Sequence, residues 1–200
     1  MSEIATCAHH VIDIVVRNLY ERTADVGFLA TDRTLCNYVA GISDGVGILE
    51  RLHAYRSKYT VYDEIMLLNL EGTVVAQIDE SSPVEGSRDP LLTQTLESNS
   101  YVESFRFSDL RPRKAQSLLY TQHPSTGQLC GVLCLSFDFE GEMASIFQGS
   151  SASDGRSVAL LLNAEHRVIA SSDEQWIARG TQVPNNQNGA PTLYTHAGRT

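Results

Sequence analysis

The sequence predicts an α+β fold in which one long N-terminal helix packs on an antiparallel sheet, and a second, incomplete sheet module follows. Three observations predict this fold: a stripe of apolar residues at helical spacing, a later change to strand periodicity, and a hairpin sequence that occurs twice. Because 42% of the 200 residues are hydrophobic, the chain has enough apolar material to bury a core.

The N-terminal helix is predicted from apolar residues that recur at steps of three, four or seven between Ile4 and Leu29. A helix over residues 4–30 is roughly 40 Å long, at a rise of about 1.5 Å per residue. It exceeds the average globular helix of about 11 residues, which indicates that it packs on another helix or on its own copy. Arg22 interrupts the apolar stripe. A second helix follows after a short turn.

Strand periodicity begins at Glu64. A short helix, which Asp89 caps and Pro90 begins, separates a first hairpin from three further strands. The predicted strands cover residues 64–68, 73–78, 101–107, 117–123 and 129–139, and the predicted short helices cover residues 90–97 and 140–147. Hairpin turns join neighbouring strands, so this order predicts an antiparallel sheet.

The first hairpin sequence is repeated later in the chain. Residues 64–79 align without gaps with residues 158–173, and seven of the 16 positions are identical. Such a repeat indicates two related modules. Only 27 residues follow Asp173, so the second module is expected to be incomplete, either in a fragment or completed elsewhere in a longer parent. The expected domains are a helical region over 1–57, a first sheet module over 58–148 and the start of a second module over 149–200.

Four stretches of the chain carry a resemblance to a known family. They are IDIVVRNLYERTADVGFLATD, YTVYDEIMLLNLEGTVVAQID, DPLL with YVESFRFSDL, and LLNAEHRVIASSDEQW. Together with the long helix and the tandem modules, they resemble the double Cache sensor domain of bacterial methyl-accepting chemotaxis proteins. The resemblance implies PAS-like antiparallel sheets flanked by helices, a small-molecule pocket in the first module, and output through helices to a C-terminal signalling domain.

The predicted ligand site lies in the segment from Tyr101 to Tyr120, where basic residues concentrate in an otherwise acidic chain. Strand alternation places Ser104 and Arg106 on one face, and guanidinium groups bind carboxylates with two hydrogen bonds. Pocket and surface remain open alternatives for Arg106. The predicted ligand is a small molecule, with an anionic or carboxylate-bearing compound as the expected class. The residues predicted to bind it are Arg106, Tyr120, Ser104 and Tyr101.

Three further basic residues of the same segment, Arg111, Arg113 and Lys114, have an alternative interpretation as a solvated hairpin tip. Under that interpretation they take no part in ligand binding.

Composition and motifs argue against several classes of function. The net charge of −9 lacks the basic surplus that nucleic-acid binding requires. No catalytic motif, metal-ligand spacing or cofactor motif is found, so we expect neither an enzyme nor a cofactor. Four scattered cysteines indicate a reducing compartment. A soluble cytoplasmic domain is therefore expected; a periplasmic sensor fragment without its membrane helices is the alternative, since double Cache domains usually lie outside the cell.

The predicted function is ligand sensing in a chemoreceptor or related signal transducer. The long N-terminal helix is expected to form a homodimer, and a C-terminal signalling domain is expected in a longer parent chain. Two alternatives stay open: a structural dimerisation module that binds no ligand, and a small-molecule enzyme of similar fold.

Overall fold

The computed structural model describes residues 3–124, 129–149 and 157–184. The helices are α1 (Glu3–Leu29), α2 (Arg33–Val39), α3 (Ile48–Lys58), α4 (Pro90–Glu97) and α5 (Phe139–Gly149). The strands are β1 (Tyr62–Leu68), β2 (Val74–Gln77), β3 (Val102–Arg106), β4 (Ser117–Gln122), β5 (Val132–Phe137), β6 (Leu160–Leu162) and β7 (Val168–Ser171). In these described ranges, no helix is both long enough and apolar enough to span a bilayer.

The chain forms two compact units. Among the described residues, one unit lies within 19–139, and the other combines residues 3–18 with those from 140 onward. Helices α2 and α3, which the sequence predicts in a separate helical region, pack on the sheet of the first of these units. The predicted boundaries at residues 57 and 148 therefore stay predictions.

The unit over residues 19–139 is built on a five-stranded antiparallel sheet with the order β2-β1-β5-β4-β3. One face of the sheet, the helix face, packs against α1, α2 and α3, and its core includes Val26, Leu29 and Leu135. The other face, the α4 face, packs against α4, and its core includes Leu91 and Met66. The predicted α+β fold, with a long helix on an antiparallel sheet, is confirmed.

The repeated hairpin has the same structure in both units. Leu67 lies opposite Ala76 across β1 and β2, and Leu161 lies opposite Ala170 across β6 and β7, with a register shift after the leucine in each pair. In each turn an asparagine carboxamide oxygen accepts two backbone N–H groups. Asn69 Oδ1 accepts from residues 71 and 73 at 3.1 and 2.8 Å, and Asn163 Oδ1 accepts from residues 165 and 167 at 3.1 and 2.9 Å.

The structural repeat extends beyond the residues that align in sequence. The Val74 N–H donates to the Glu85 carbonyl at 2.9 Å, and the Val168 N–H donates to the Thr181 carbonyl at 2.9 Å. A third segment therefore runs beside the second hairpin strand in both units. Its spacing from the hairpin is two residues longer in the second copy, which hides the relationship from an ungapped alignment.

Candidate functional site

A row of polar side chains crosses the α4 face at one end of the sheet. The strand register places Ser104 opposite Leu119, which lies opposite Ser136, which in turn lies opposite Glu64. Arg106 lies opposite Ser117 one step further along. Paired residues of antiparallel strands point to the same face, so these side chains share the α4 face. We call Glu64, Ser104, Arg106, Ser117 and Ser136 the polar strip.

Two hydroxyl groups of the polar strip are buried without a partner. Ser117 and Ser136 are only 3% and 1% exposed, and neither hydroxyl oxygen has a hydrogen-bond partner in the part of the chain that the structure describes. Beside the strip, Asp63 Oδ1 and Arg111 Nε are also buried without a hydrogen-bond partner among the described residues. Buried polar atoms are nearly always satisfied in native proteins, so these four atoms mark a place for water or a small polar ligand.

Arg111 connects the loop between β3 and β4 to the acidic side chains at the end of the strip. Its Nη1 lies 3.3 Å from Glu64 Oε2 and 3.3 Å from Asp79 Oδ2, and its Nη2 lies 3.6 Å from Asp63 Oδ2. The Arg111 side chain is 10% exposed, and Lys114 also pairs with Asp63. The interpretation of Arg111 and Lys114 as a solvated hairpin tip is therefore wrong, because acidic groups from β1 and the loop after β2 hold both.

A bulge in β1 brings two adjacent carboxylates to the same arginine. The register with β5 shifts between Tyr62 and Glu64, which leaves Asp63 as the extra residue. In a regular strand Asp63 and Glu64 would point to opposite faces. With the bulge, both contact Arg111.

Glu64 is almost completely buried and heavily hydrogen-bonded. Its carboxylate accepts from the backbone N–H groups of Ile65, Ile78 and Asp79 at 2.9, 2.8 and 3.1 Å. Burial raises the pKa of Glu64 above its ordinary value, and this effect outweighs the backbone hydrogen bonds and the charge of Arg111. Asp79 behaves oppositely: the Ser81 hydroxyl and then Arg111 lower the pKa of its carboxyl.

At the other end of the strip, Arg106 is tied to the N-terminus of α4. Asp89 caps that helix by accepting from the Leu91 N–H at 2.8 Å. The same carboxylate accepts two hydrogen bonds from the Arg106 guanidinium and one from the Ser108 hydroxyl at 2.6 Å. Burial of Asp89 opposes its ionisation, but the hydrogen bonds from Arg106, Ser108 and Leu91 outweigh burial and lower the pKa of Asp89.

The four predicted ligand residues do not form one cluster. Ser104 and Arg106 lie on the α4 face, whereas Tyr120 pairs with Glu103 and is buried in the core of the helix face. Tyr101 precedes β3 and is exposed. Only Ser104 and Arg106 therefore belong to the polar strip, and the role of all four residues in binding stays a prediction.

Sequence reasoning missed Glu64, Ser117, Ser136 and the buried role of Arg111. A signal was present for the first three, because each is a polar residue within or at the end of a nearly apolar strand. Their shared face follows only from the register between strands, which a single sequence does not specify.

A concavity lies at the β2 edge of the sheet. It encloses about 350 Å³ and is lined by Tyr38, Leu49 and Val84 together with β2 residues. Its polar groups have partners: the Tyr38 hydroxyl donates to the Val75 carbonyl at 2.7 Å, and Gln77 accepts from the Val84 N–H at 2.7 Å. This groove is the less suitable place for a polar ligand. Within the described ranges, no group of three or more His, Cys, Asp or Glu side chains could hold a metal ion.

The fold defines a class: the chain has the fold of sensor domains of bacterial chemoreceptors and histidine kinases, as predicted from the double Cache resemblance. It is similar to the sensor domain of the V. cholerae histidine kinase DctB, with a TM-score of 0.70, 14% identity, and coverage of 93% of this chain and 71% of that one. No family model matches the sequence, and no curated protein matches it significantly.

Two chemoreceptor domains share the same fold. One is the ligand-binding domain of Campylobacter jejuni chemoreceptor Tlp3 in complex with L-valine, with a TM-score of 0.65, 13% identity, and coverage of 88% of this chain and 73% of that one. The other is that of the Pseudomonas aeruginosa amino acid chemoreceptor PctC in complex with GABA, with a TM-score of 0.60, 17% identity, and coverage of 82% and 72%. At these identities the likeness shows the fold.

Proposed function

We propose that this chain is the ligand-sensing domain of a chemoreceptor or related signal transducer, and that it binds a small polar molecule at the polar strip. The observation that carries this proposal is the pair of buried, unpartnered hydroxyls of Ser117 and Ser136 on the α4 face. A ligand that donates to or accepts from these groups recovers the hydrogen bonds that burial removes. The shared fold with domains that bind L-valine and GABA supports the same function.

The charge that the ligand should carry follows from how Arg106 is paired and how far its side chain is exposed. Asp89 occupies part of its guanidinium, but the Arg106 side chain is 46% exposed, so one side remains accessible to a carboxylate. Arg111, in contrast, is surrounded by three carboxylates. A carboxylate-bearing ligand would therefore place its charge at Arg106 and its hydrogen-bonding groups toward the two serines.

A thermal-shift screen with amino acids, organic acids and amines tests the proposal. At a ligand concentration of about 100 times Kd, we expect an increase in Tm of about 5–10 °C for compounds of one chemical class. Ser136→Val replaces the hydroxyl by a methyl group and adds bulk to the strip, so it should abolish the increase. Ser57→Val, the same change on the exposed surface of α3, should preserve it. An equal ligand-induced increase in Tm in the Ser136→Val and Ser57→Val chains would contradict binding at the strip.

The two alternatives to sensing predict other outcomes. A dimerisation module without ligand gives no thermal shift with any compound. An enzyme turns over its substrate, and loss of that turnover in Arg106→Ala would support catalysis at this face. Cytoplasmic or periplasmic location, and a signalling domain that follows in a longer parent, stay predictions.

We also propose that the chain dimerises through α1, by a face different from the predicted stripe. Val11, Val15, Val26 and Leu29 of that stripe are buried within the chain's own fold. A second ridge at steps of four residues is exposed along the helix: Ala8, Ile12, Val16, Tyr20, Ala24 and Phe28. Ridges at this spacing pack into the grooves of a partner helix.

Replacing one residue of this ridge should dissociate the dimer. Val16→Lys places a charge in the middle of the ridge, so the variant should sediment as a monomer at concentrations where the wild-type chain is a dimer. His10→Lys, which also adds positive charge to an exposed position of α1 outside the ridge, should leave the dimer intact. A wild-type chain that stays monomeric at high concentration, or a Val16→Lys dimer, would refute this interface.

A further inference from the structure

Arg22 is a buried charge where α1 faces the sheet. Its side chain is 8% exposed and its Nε lies 3.0 Å from Asp25 Oδ2. Its guanidinium lies over the ring of Tyr62 in β1, at 5.7 Å from the ring centroid. The Tyr62 hydroxyl donates to Asp25 Oδ2 at 2.7 Å. The residue that interrupts the apolar stripe is thus part of a specific polar contact between α1 and β1.

This contact is built on the same strand end as the polar strip. Tyr62 points to the helix face, and Glu64, two residues later, belongs to the strip. Between them lies the bulged residue Asp63, which is held by Arg111 and Lys114. The carboxylate that Arg111 and Lys114 hold and the ring of Tyr62 are therefore carried by adjacent residues of one backbone segment.

We propose that Arg22, Asp25 and Tyr62 form a polar joint through which the state of the polar strip controls the position of α1. This inference rests on the proposed sensing function. Apolar side chains can slide past one another with little change in energy, whereas the hydrogen bond from the Tyr62 hydroxyl to Asp25 and the Arg22 guanidinium over the Tyr62 ring favour one register between α1 and β1. Its buried groups are costly to separate from their partners, so movement of Tyr62 draws Asp25 and the helix with it or breaks the joint.

Amide hydrogen exchange in residues 19–29 measures the effect on α1 without any ligand. Asp63→Asn releases Lys114 and Arg111 from the bulge, and it should speed exchange in this half of α1 about five-fold, the change that corresponds to loss of one hydrogen bond. Lys114→Gln breaks the same ion pair from the other side and should act in the same direction. In a Tyr62→Phe chain, which lacks the hydroxyl that reaches Asp25, Asp63→Asn should have no further effect on α1.

Two controls separate transmission from general loss of stability. Exchange in α2, which packs on the same face at the Leu68 end of β1, opposite to Tyr62, should be unchanged by Asp63→Asn. Tyr38→Phe removes a tyrosine hydrogen bond of equal length, from Tyr38 to the Val75 carbonyl, and the response of α1 to Asp63→Asn should persist in that background. The joint is refuted if the response persists in Tyr62→Phe, or if α1 and α2 respond equally. The ligand screen with Ser136→Val can fail or succeed independently of these measurements.

Discussion

Replacing Arg111 by methionine is expected to lower the free energy of unfolding by about 3 kcal/mol, the cost of leaving buried carboxylates without their cation. Glu64 is almost fully buried and loses Arg111, the charged group that pairs with it among the residues that the structure describes. The three backbone N–H groups that bind Glu64 remain and keep the cost at the lower end of the range for broken buried pairs. Urea denaturation near neutral pH measures the change.

Arg113→Met is the matched control, because Arg113 is exposed in the same loop and its replacement should change stability by less than about 0.5 kcal/mol. The difference in the free energy of unfolding between the Arg111→Met chain and the wild-type chain should become smaller as the pH falls. Burial already raises the pKa of Glu64 above 4.5, so protonation of Glu64 stabilises the fold on the acidic side and removes the need for a cation. Equal effects of the two replacements would contradict the buried role of Arg111.

Replacing Asp89 by alanine is also expected to have a large effect, and should lower the free energy of unfolding by about 2–4 kcal/mol. The Asp89 side chain is 2% exposed, and its removal leaves the Leu91 N–H and the Ser108 hydroxyl buried without their acceptor. Arg106 loses its partner at the same time. Thermal or urea unfolding of the variant chain measures the loss.

Asp44 provides a control for this replacement. Its carboxylate also accepts one backbone N–H, from Val46 at 3.2 Å, but the site is exposed. Asp44→Ala should therefore cost less than about 0.5 kcal/mol, because water replaces the lost bond. Asp89 also has a lowered pKa, so the wild-type chain should lose the stability that Asp89 contributes as pH falls below about 3.8 and the carboxyl takes up a proton. A loss of stability in Asp89→Ala no larger than in Asp44→Ala would contradict the assigned cap.

Local sequence signals predicted the parts of the fold that depend on neighbouring residues. Asp89 followed by Pro90 marked the start of α4, and the Asn–x–Glu turns marked both hairpins because the asparagine side chain makes the turn by itself. The repeat was visible because the register and turn chemistry of a hairpin constrain its residues.

The candidate site could be predicted only in part, because it depends on which strands become neighbours. Strand β4 is buried on both faces, so its sequence shows no alternation from which the direction of Tyr120 could be read. The bulge at Asp63 also breaks the strict alternation of β1. Arg111 looked like an exposed loop residue because its acidic partners lie more than 30 residues away in sequence.

The most direct test of the proposed function is a crystal structure of this chain with the compound that gives the largest thermal shift in the screen. We expect the compound on the α4 face of the sheet, with polar atoms about 3 Å from the hydroxyl oxygens of Ser117 and Ser136. The same compound bound in the groove beside Tyr38, or anywhere that leaves both serine hydroxyls unpartnered, would contradict the assignment of the polar strip as the ligand site.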